Sequence, residues 1–175
     1  MLETLIALVQ PWADLFSNDP ALSTAVIAVH VLAMFVAGGM AIGTDRAILR
    51  APIGSSDAAR AVVADLSTMH NVVLVALTVT VASGIALFTS DLATYAVSKV
   101  YWTKMATVSA LLVNGLRMRR AEDAVLRPLA NVPLYTAEIS VAFPVKAWHA
   151  VRRSAAVSLT LWCIIVLLGV VLANV

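Results

Sequence analysis

The sequence predicts an all-α integral membrane protein, an up-down four-helix bundle with a short N-terminal interfacial helix. Of its 175 residues, 61% are hydrophobic and only 13% are charged, whereas a soluble domain carries about 25% charged residues. Four apolar stretches approach the ~20 residues that a helix needs to cross a bilayer. The basic residues lie almost entirely in alternate connections between these stretches. These features predict a single membrane domain that comprises residues 1–175.

The N-terminal segment is expected to be the interfacial helix. Apolar residues recur in it at helical spacing, with acidic and amide side chains among them, which favours a helix on the membrane surface that is kinked at Pro11. The apolar residues are Leu2, Leu5, Ile6, Val9, Trp12 and Phe16. The segment contains no Lys or Arg, so it lacks the basic region of a signal peptide.

Four predicted spans follow. They cover about 21–44, 70–89, 100–118 and 155–173. An up-down arrangement is the simplest one for four spans with short outer connections. In the second span, Ala76, Thr80 and Gly84 recur every four residues, which is typical of a small-residue seam where helices approach closely.

The distribution of Lys and Arg predicts the orientation. Cytoplasmic connections carry an excess of basic residues. The connection between the first two spans, and the segment 119–146 with its flanks, together hold ten, whereas the connection between the second and third spans holds only Lys99 and Lys104. We therefore expect a bacterial-type inner (plasma) membrane, both termini outside, and 119–146 in the cytoplasm.

His30 lies inside the first span, in the stretch AVHVLAMFVAGGM. Charge is costly at that depth, so a neutral imidazole with a partner is expected. Its helix face continues through small residues against which a flat, bulky group could lie. These residues are Ala33, Met34, Ala37, Gly38 and Ala41. Two interpretations are open: a haem or metal ligand, or an interhelical hydrogen bond to Ser83, Asn114 or a backbone carbonyl.

His70 and His149 are predicted to lie at matching depth near the cytoplasmic interface. Spans two and four are diagonal neighbours in an up-down bundle, so the two imidazoles could hold one haem iron from both faces. Arg152 and Arg153 could then pair with the haem propionates. The simpler interpretation is a pair of interfacial histidines, with arginines that set the topology.

Lys104 follows Tyr101 and Trp102, aromatic residues typical of a membrane interface. A lysine there can extend its amine outward to water. Spans one and three are also diagonal, however, so Lys104 and His30 could face each other across the outer half of the bundle. They form a second possible ligand pair, or a polar site for an anionic group.

Copper is an alternative cofactor, with His30, His70 and His149 as its candidate ligands. Met34 lies one turn from His30, and Met69 adjoins His70. Thioether and imidazole groups suit Cu(I), although methionine is also ordinary packing material.

Other function classes find little support in the sequence. The formal net charge of +2 is too small to indicate nucleic-acid binding. No Gly-x-Ser-x-Gly, phosphate-binding loop or His-Glu-x-x-His motif occurs, so no catalytic residue is predicted. The single cysteine, Cys163, cannot form an intramolecular disulfide. A redox partner, a membrane complex or a homo-oligomer remain open.

Three segments carry a resemblance: HVLAMFVAGGMAIGTDRAIL, ASGIALFTS followed by VYWTKMATVSALLVNGLRMRR, and RRSAAVSLTLWCIIVLLGVVLANV. They resemble the copper resistance protein D-like and HemJ-like four-helix membrane proteins, in which a histidine opens the first shared helix and a lysine lies near the start of a later one. The resemblance implies His30 as a haem or metal ligand and Lys104 as the second haem ligand. The chain reads MFVAGG where HemJ-type protoporphyrinogen oxidases have a tryptophan before the glycines, so haem or metal binding is implied rather than that oxidation.

The resulting hypothesis is a membrane protein that binds b-type haem and has a redox or electron-transfer role. His30 is predicted to lie at a different depth from His70 and His149. A single haem would therefore be held either by His30 with Lys104 or by His70 with His149. The alternatives are a copper-handling membrane protein and a non-catalytic membrane subunit or anchor that docks partners.

Overall fold

The computed structural model describes residues 2–52, 56–130 and 144–174, and their side chains in 2–52, 72–125 and 144–174. All secondary structure in these residues is helical, which confirms the all-α prediction. The helices are α1 (Leu2–Asn18), α2 (Pro20–Arg50), α3 (Ser56–Ser90), α4 (Leu92–Val97), α5 (Lys99–Ala130) and α6 (Val145–Leu172).

Three helical segments in the described residues are long and apolar enough to cross a membrane, and they indicate a membrane location. They are Pro20–Arg50, Val72–Ser90 and Val145–Leu172. Large apolar side chains cover their outer surfaces; Phe35, for example, is 77% exposed. Such surfaces are compatible with contact to lipid.

The predicted third span, 100–118, lies within α5, which is not among the helices apolar enough to span. Lys104 and Asn114 interrupt its apolar residues, and several arginines lie in the second half of α5. The sequence therefore predicts the position of this helix correctly, but in the described residues three of the four predicted spans are apolar enough to cross a membrane.

Local capping explains the boundary between α1 and α2. The carboxylate of Asp19 accepts hydrogen bonds from the backbone N–H groups of Ala21 and Leu22, at 2.9 and 3.1 Å. Pro20 occupies the first turn of α2, where no N–H is needed. The indole Nε1–H of Trp12 donates to the Ala86 carbonyl at 2.9 Å, so α1 lies against the C-terminal end of α3.

Helix packing is uneven around the molecule. Within the described part of the chain, α2 packs closely against α3 and α6, and α6 against α5, whereas α3 and α5 contact each other much less. One core cluster joins α2, α5 and α6 around Trp148 and Ile48, both fully buried. A second cluster contains Ala37, Ala76 and Trp162.

The small-residue face of α2 receives an indole from α6. A Cβ atom built on Gly38 would lie 3.1 and 3.2 Å from Cε3 and Cζ3 of Trp162. Ala37, beside Gly38, is fully buried. At Gly38, this face therefore packs against a flat group of the chain itself.

Candidate intramembrane site

His30 forms an interhelical hydrogen bond. Its Nδ1 atom lies 2.9 Å from Oγ of Ser83 on α3. The Ser83 side chain is buried, at 8% exposure. The interpretation that pairs His30 with Ser83 is thus confirmed, while Asn114 instead donates to the backbone carbonyl of Ser154 at 2.9 Å.

The surroundings of Ser83 fix the direction of this hydrogen bond. Its Oγ atom lies 2.6 Å from the Val79 carbonyl oxygen and 3.2 Å from that of Thr80. A serine has one hydroxyl hydrogen, and these carbonyls can only accept it. Nδ1 of His30 therefore carries the hydrogen and donates it to Oγ, which leaves the lone pair of the neutral ring on Nε2.

A glycine brings the backbone of α3 close to the imidazole. A Cβ atom built on Gly84 would lie 3.3 Å from Cε1 of His30. Ala76, two helical turns earlier in the same seam, is buried in the second core cluster. The seam of Ala76, Thr80 and Gly84 is therefore part of the contact with α2, as expected for small residues at a helix interface.

Lys104 approaches this site from α5. Its side chain is half-buried, and Nζ lies 3.5 Å from the position of a Cβ atom on Gly169 of α6. The Lys104 ammonium also lies within electrostatic range of the His30 imidazole. Two predicted site residues, 74 positions apart in the sequence, thus lie within electrostatic range of each other.

The start of α5 is held against α3 by aromatic side chains. Phe88 of α3 stacks on Tyr101 of α5, with ring centroids 4.8 Å apart and an interplanar angle of 13°. Tyr95 of α4 contacts the same ring at 5.7 Å between centroids. Because Lys104 is one turn after Tyr101, this cluster fixes the part of α5 that carries the lysine.

The second predicted pair has a different environment. His149 is exposed on the first turns of α6, and the side chain of His70 lies outside the described residues. The Arg152 guanidinium donates to the backbone carbonyls of Ile48 and Ala51 at 3.3 and 2.8 Å, so it caps the C-terminus of α2. The Arg153 side chain is exposed.

A copper centre receives no structural support. Among the residues that the structure describes, no group of three or more His, Cys, Asp or Glu side chains is placed to hold a metal ion. Cys163 is a free thiol on the exposed side of α6.

An acidic cavity that the sequence does not predict is lined by residues of all four long helices. Its charged lining residues are Asp45, Arg119 and Glu122. The available signal was an acidic residue at the end of an apolar helix, yet the sequence does not show that Asp45 and Glu122 converge.

Comparison of the chain with protein-family models, curated proteins and solved structures finds no match.

Proposed function

We propose that the protein is a membrane protein that binds b-type haem and takes part in electron transfer, and that His30 and Lys104 would hold the haem iron. The observation that carries the proposal is that these two nitrogen-bearing side chains, from α2 and α5, are close enough to interact electrostatically. The exposed position of His149 makes the pair of His70 and His149 the weaker choice.

The geometry of His30 fits a ligand. Metal-binding histidines usually donate their second ring N–H to a nearby acceptor, which fixes the tautomer and the ring orientation. The hydrogen bond to Ser83 holds Nδ1 in this way, and the backbone of Thr80 also hydrogen-bonds to the ring. Ligation would use the lone pair of Nε2. Because Trp162 covers the small face of α2 at Gly38, the proposal depends on the nitrogen pair and not on that face.

Haem, when bound, would supply one-electron chemistry. The residues of this chain would do the rest. Ser83 would orient the imidazole, and the surrounding apolar helices would exclude water and set the polarity that tunes the iron.

The proposed arrangement in the membrane is a four-helix bundle with α5 as the third span and α1 at the interface. Both termini lie outside and residues 119–146 lie in the cytoplasm of a bacterial-type inner membrane. The uneven distribution of Lys and Arg supports this orientation.

The test is an absorption spectrum with elemental analysis of protein purified from haem-supplemented cells. We expect a Soret band and bound iron in the wild type. His30→Ala and Lys104→Ala should each abolish or shift the band, whereas the matched variants His70→Ala and His149→Ala should retain it.

Three outcomes would overturn parts of the proposal. A wild-type protein without a Soret band, despite haem supplementation, would reject haem binding. Loss of the band only in His70→Ala and His149→Ala would transfer ligation to that pair. Stoichiometric copper that depends on His30 would favour the copper-handling alternative.

A second candidate function is a non-catalytic membrane subunit or anchor. The observation that favours it is the hydrogen bond from His30 to Ser83, because a structural partner is sufficient to explain a buried histidine. This function predicts a colourless, metal-free protein that co-purifies with stoichiometric partner proteins.

A further inference from the structure

The acidic cavity combines an apolar wall with a charged end. Its volume is about 280 Å³, close to the lower limit of about 300 Å³ for small-molecule pockets. The apolar wall includes Leu74, Leu77, Leu111, Leu112 and Trp162. Asp45 of α2 and Glu122 of α5 lie at the charged end. The cavity is therefore amphipathic.

Asp45 supplies an unsatisfied acceptor. Its side chain is 2% exposed. The Ser158 hydroxyl of α6 donates a hydrogen bond to the carboxylate, but Oδ2 has no hydrogen-bond partner among the described residues. A buried carboxylate oxygen without a donor is destabilising. A ligand that brings a donor into the cavity would remove this penalty.

Among the described side chains that line the cavity, one negative charge is unbalanced. Two carboxylates, of Asp45 and Glu122, line it together with one guanidinium, of Arg119. Arg119 is one turn from Glu122 on α5 and acts electrostatically on it. One positive charge on a ligand would therefore neutralise the charges of these described residues.

We propose that this cavity binds a small organic ammonium ion with an apolar body. The ammonium group offers several N–H donors to Oδ2 of Asp45, and the apolar body gains free energy by contact with the leucine wall. An inorganic cation would need oxygen ligands around it, whereas most of this lining is apolar. The inference is independent of haem binding.

Calorimetric titration of the purified full-length protein in detergent, corrected with empty micelles, tests the proposal. The probes are benzylammonium and benzyl alcohol, which have nearly the same shape but differ in charge. We expect benzylammonium to bind about tenfold more tightly, or better, because it alone forms a charge-assisted hydrogen bond. Equal affinity for the two probes, or no binding of either, would overturn the proposal.

Two near-isosteric variants locate the binding site. Asp45→Asn should reduce the affinity for benzylammonium to that for benzyl alcohol. Asp14→Asn is the matched control, because Asp14 is exposed on α1 and does not line the cavity, and its affinity should equal that of the wild type. Undiminished benzylammonium binding by Asp45→Asn would refute the assignment of Asp45. The comparison of probes on the wild type stands even if a variant fails to fold.

The pH profile provides a further readout. Burial raises the pKa of Glu122 above its usual range, Arg119 opposes the rise, and Asp123 and Asp45 add to it. α6 presents the uncharged Ser158 to the carboxylate of Asp45. Binding should strengthen as pH rises through the raised pKa, since ionised Glu122 adds negative charge. Glu122→Gln should reduce the slope of the profile and leave the contribution of Asp45, and an unchanged slope would contradict the role of Glu122.

The ammonium group could belong to a free amine or to a lipid headgroup. The titration is therefore repeated in bicelles of phosphatidylcholine with and without phosphatidylethanolamine. Competition by phosphatidylethanolamine would identify the lipid as a source, and undiminished binding of benzylammonium would identify free amines. Both outcomes support the shared ammonium chemistry.

Discussion

The hydroxyl hydrogen of Ser83 determines which ring nitrogen of His30 carries a hydrogen. Ser83 gives its hydrogen to a backbone carbonyl of its own helix, so its oxygen is left to accept from the imidazole. The same contact joins α2 to α3. Its strength can be measured without any cofactor.

Ser83→Ala should lower the free energy of unfolding by about 0.5–1.5 kcal/mol, the usual range for an interhelical hydrogen bond in a membrane protein. Unfolding by sodium dodecyl sulfate in mixed micelles measures it. Ser109→Ala is the control, because Ser109 is exposed and donates only to the Met105 carbonyl of its own helix. Equal effects of the two variants would show that the contact between His30 and Ser83 contributes nothing.

Residue types predict part of the site and helix rotation determines the rest. An intramembrane histidine requires a partner, so Ser83 could be named as one of several candidates. The sequence does not predict that Arg152 caps α2, or that Asp45 and Glu122 converge. Both depend on how each helix is rotated about its axis relative to its neighbours, and apolar residues on all sides of a helix leave that rotation undetermined.

At the scale of the helices, the contact between α2 and α6 requires a glycine, which has no side chain, at position 38. Gly38 and Gly39 are adjacent in α2 but have different surroundings. Trp162 lies against Gly38, whereas nothing lies within 4 Å of a Cβ atom built on Gly39. The pair separates steric conflict from helix propensity.

Gly38→Ala should lower the free energy of unfolding by about 1–3 kcal/mol, because the new methyl group overpacks against the indole. Gly39→Ala should leave it unchanged or raise it by up to about 1 kcal/mol, since alanine is the better helix former. The same micellar unfolding experiment compares both variants. A Gly38→Ala protein as stable as Gly39→Ala would contradict the packing of Trp162.

Helix ends were harder to predict than helix positions. The first span was expected to end near residue 44, yet α2 continues to Arg50. Bilayer thickness sets the span estimate, whereas helical hydrogen bonding continues until the chain becomes extended at Ala51. The short helix α4 was not predicted, because six residues carry too little periodicity. Its only local signal is the N-cap Asp91.

For the whole molecule, the lower hydropathy of α5 makes the number of spans an experimental question. If α5 crosses the membrane, both termini lie on the same side. If it does not, the C-terminus lies on the opposite side from α1. The C-terminal residues therefore report on α5 directly.

Single cysteines introduced into a Cys163→Ala background test this topology in intact cells with a membrane-impermeant maleimide. Asn18→Cys and Ala93→Cys should react from outside, and Pro52→Cys only after lysis, following the positive-inside rule. Asn174→Cys should also react from outside. Its protection until lysis, with the other three as expected, would remove α5 from the spanning helices.

Because the helices contact each other unevenly, some pairs of helices are easier to separate than others. Separating α2 from α6 would withdraw Trp162 from Gly38, whereas separating α3 from α5 disrupts few contacts in the described part. These contacts favour a hinge rotation of the pair α2/α3 relative to α5/α6 about the α2–α6 contact. The cavity of Asp45 and Glu122 has walls on both pairs, so this rotation would change its volume first. A ligand bound there would contact both pairs and oppose the rotation.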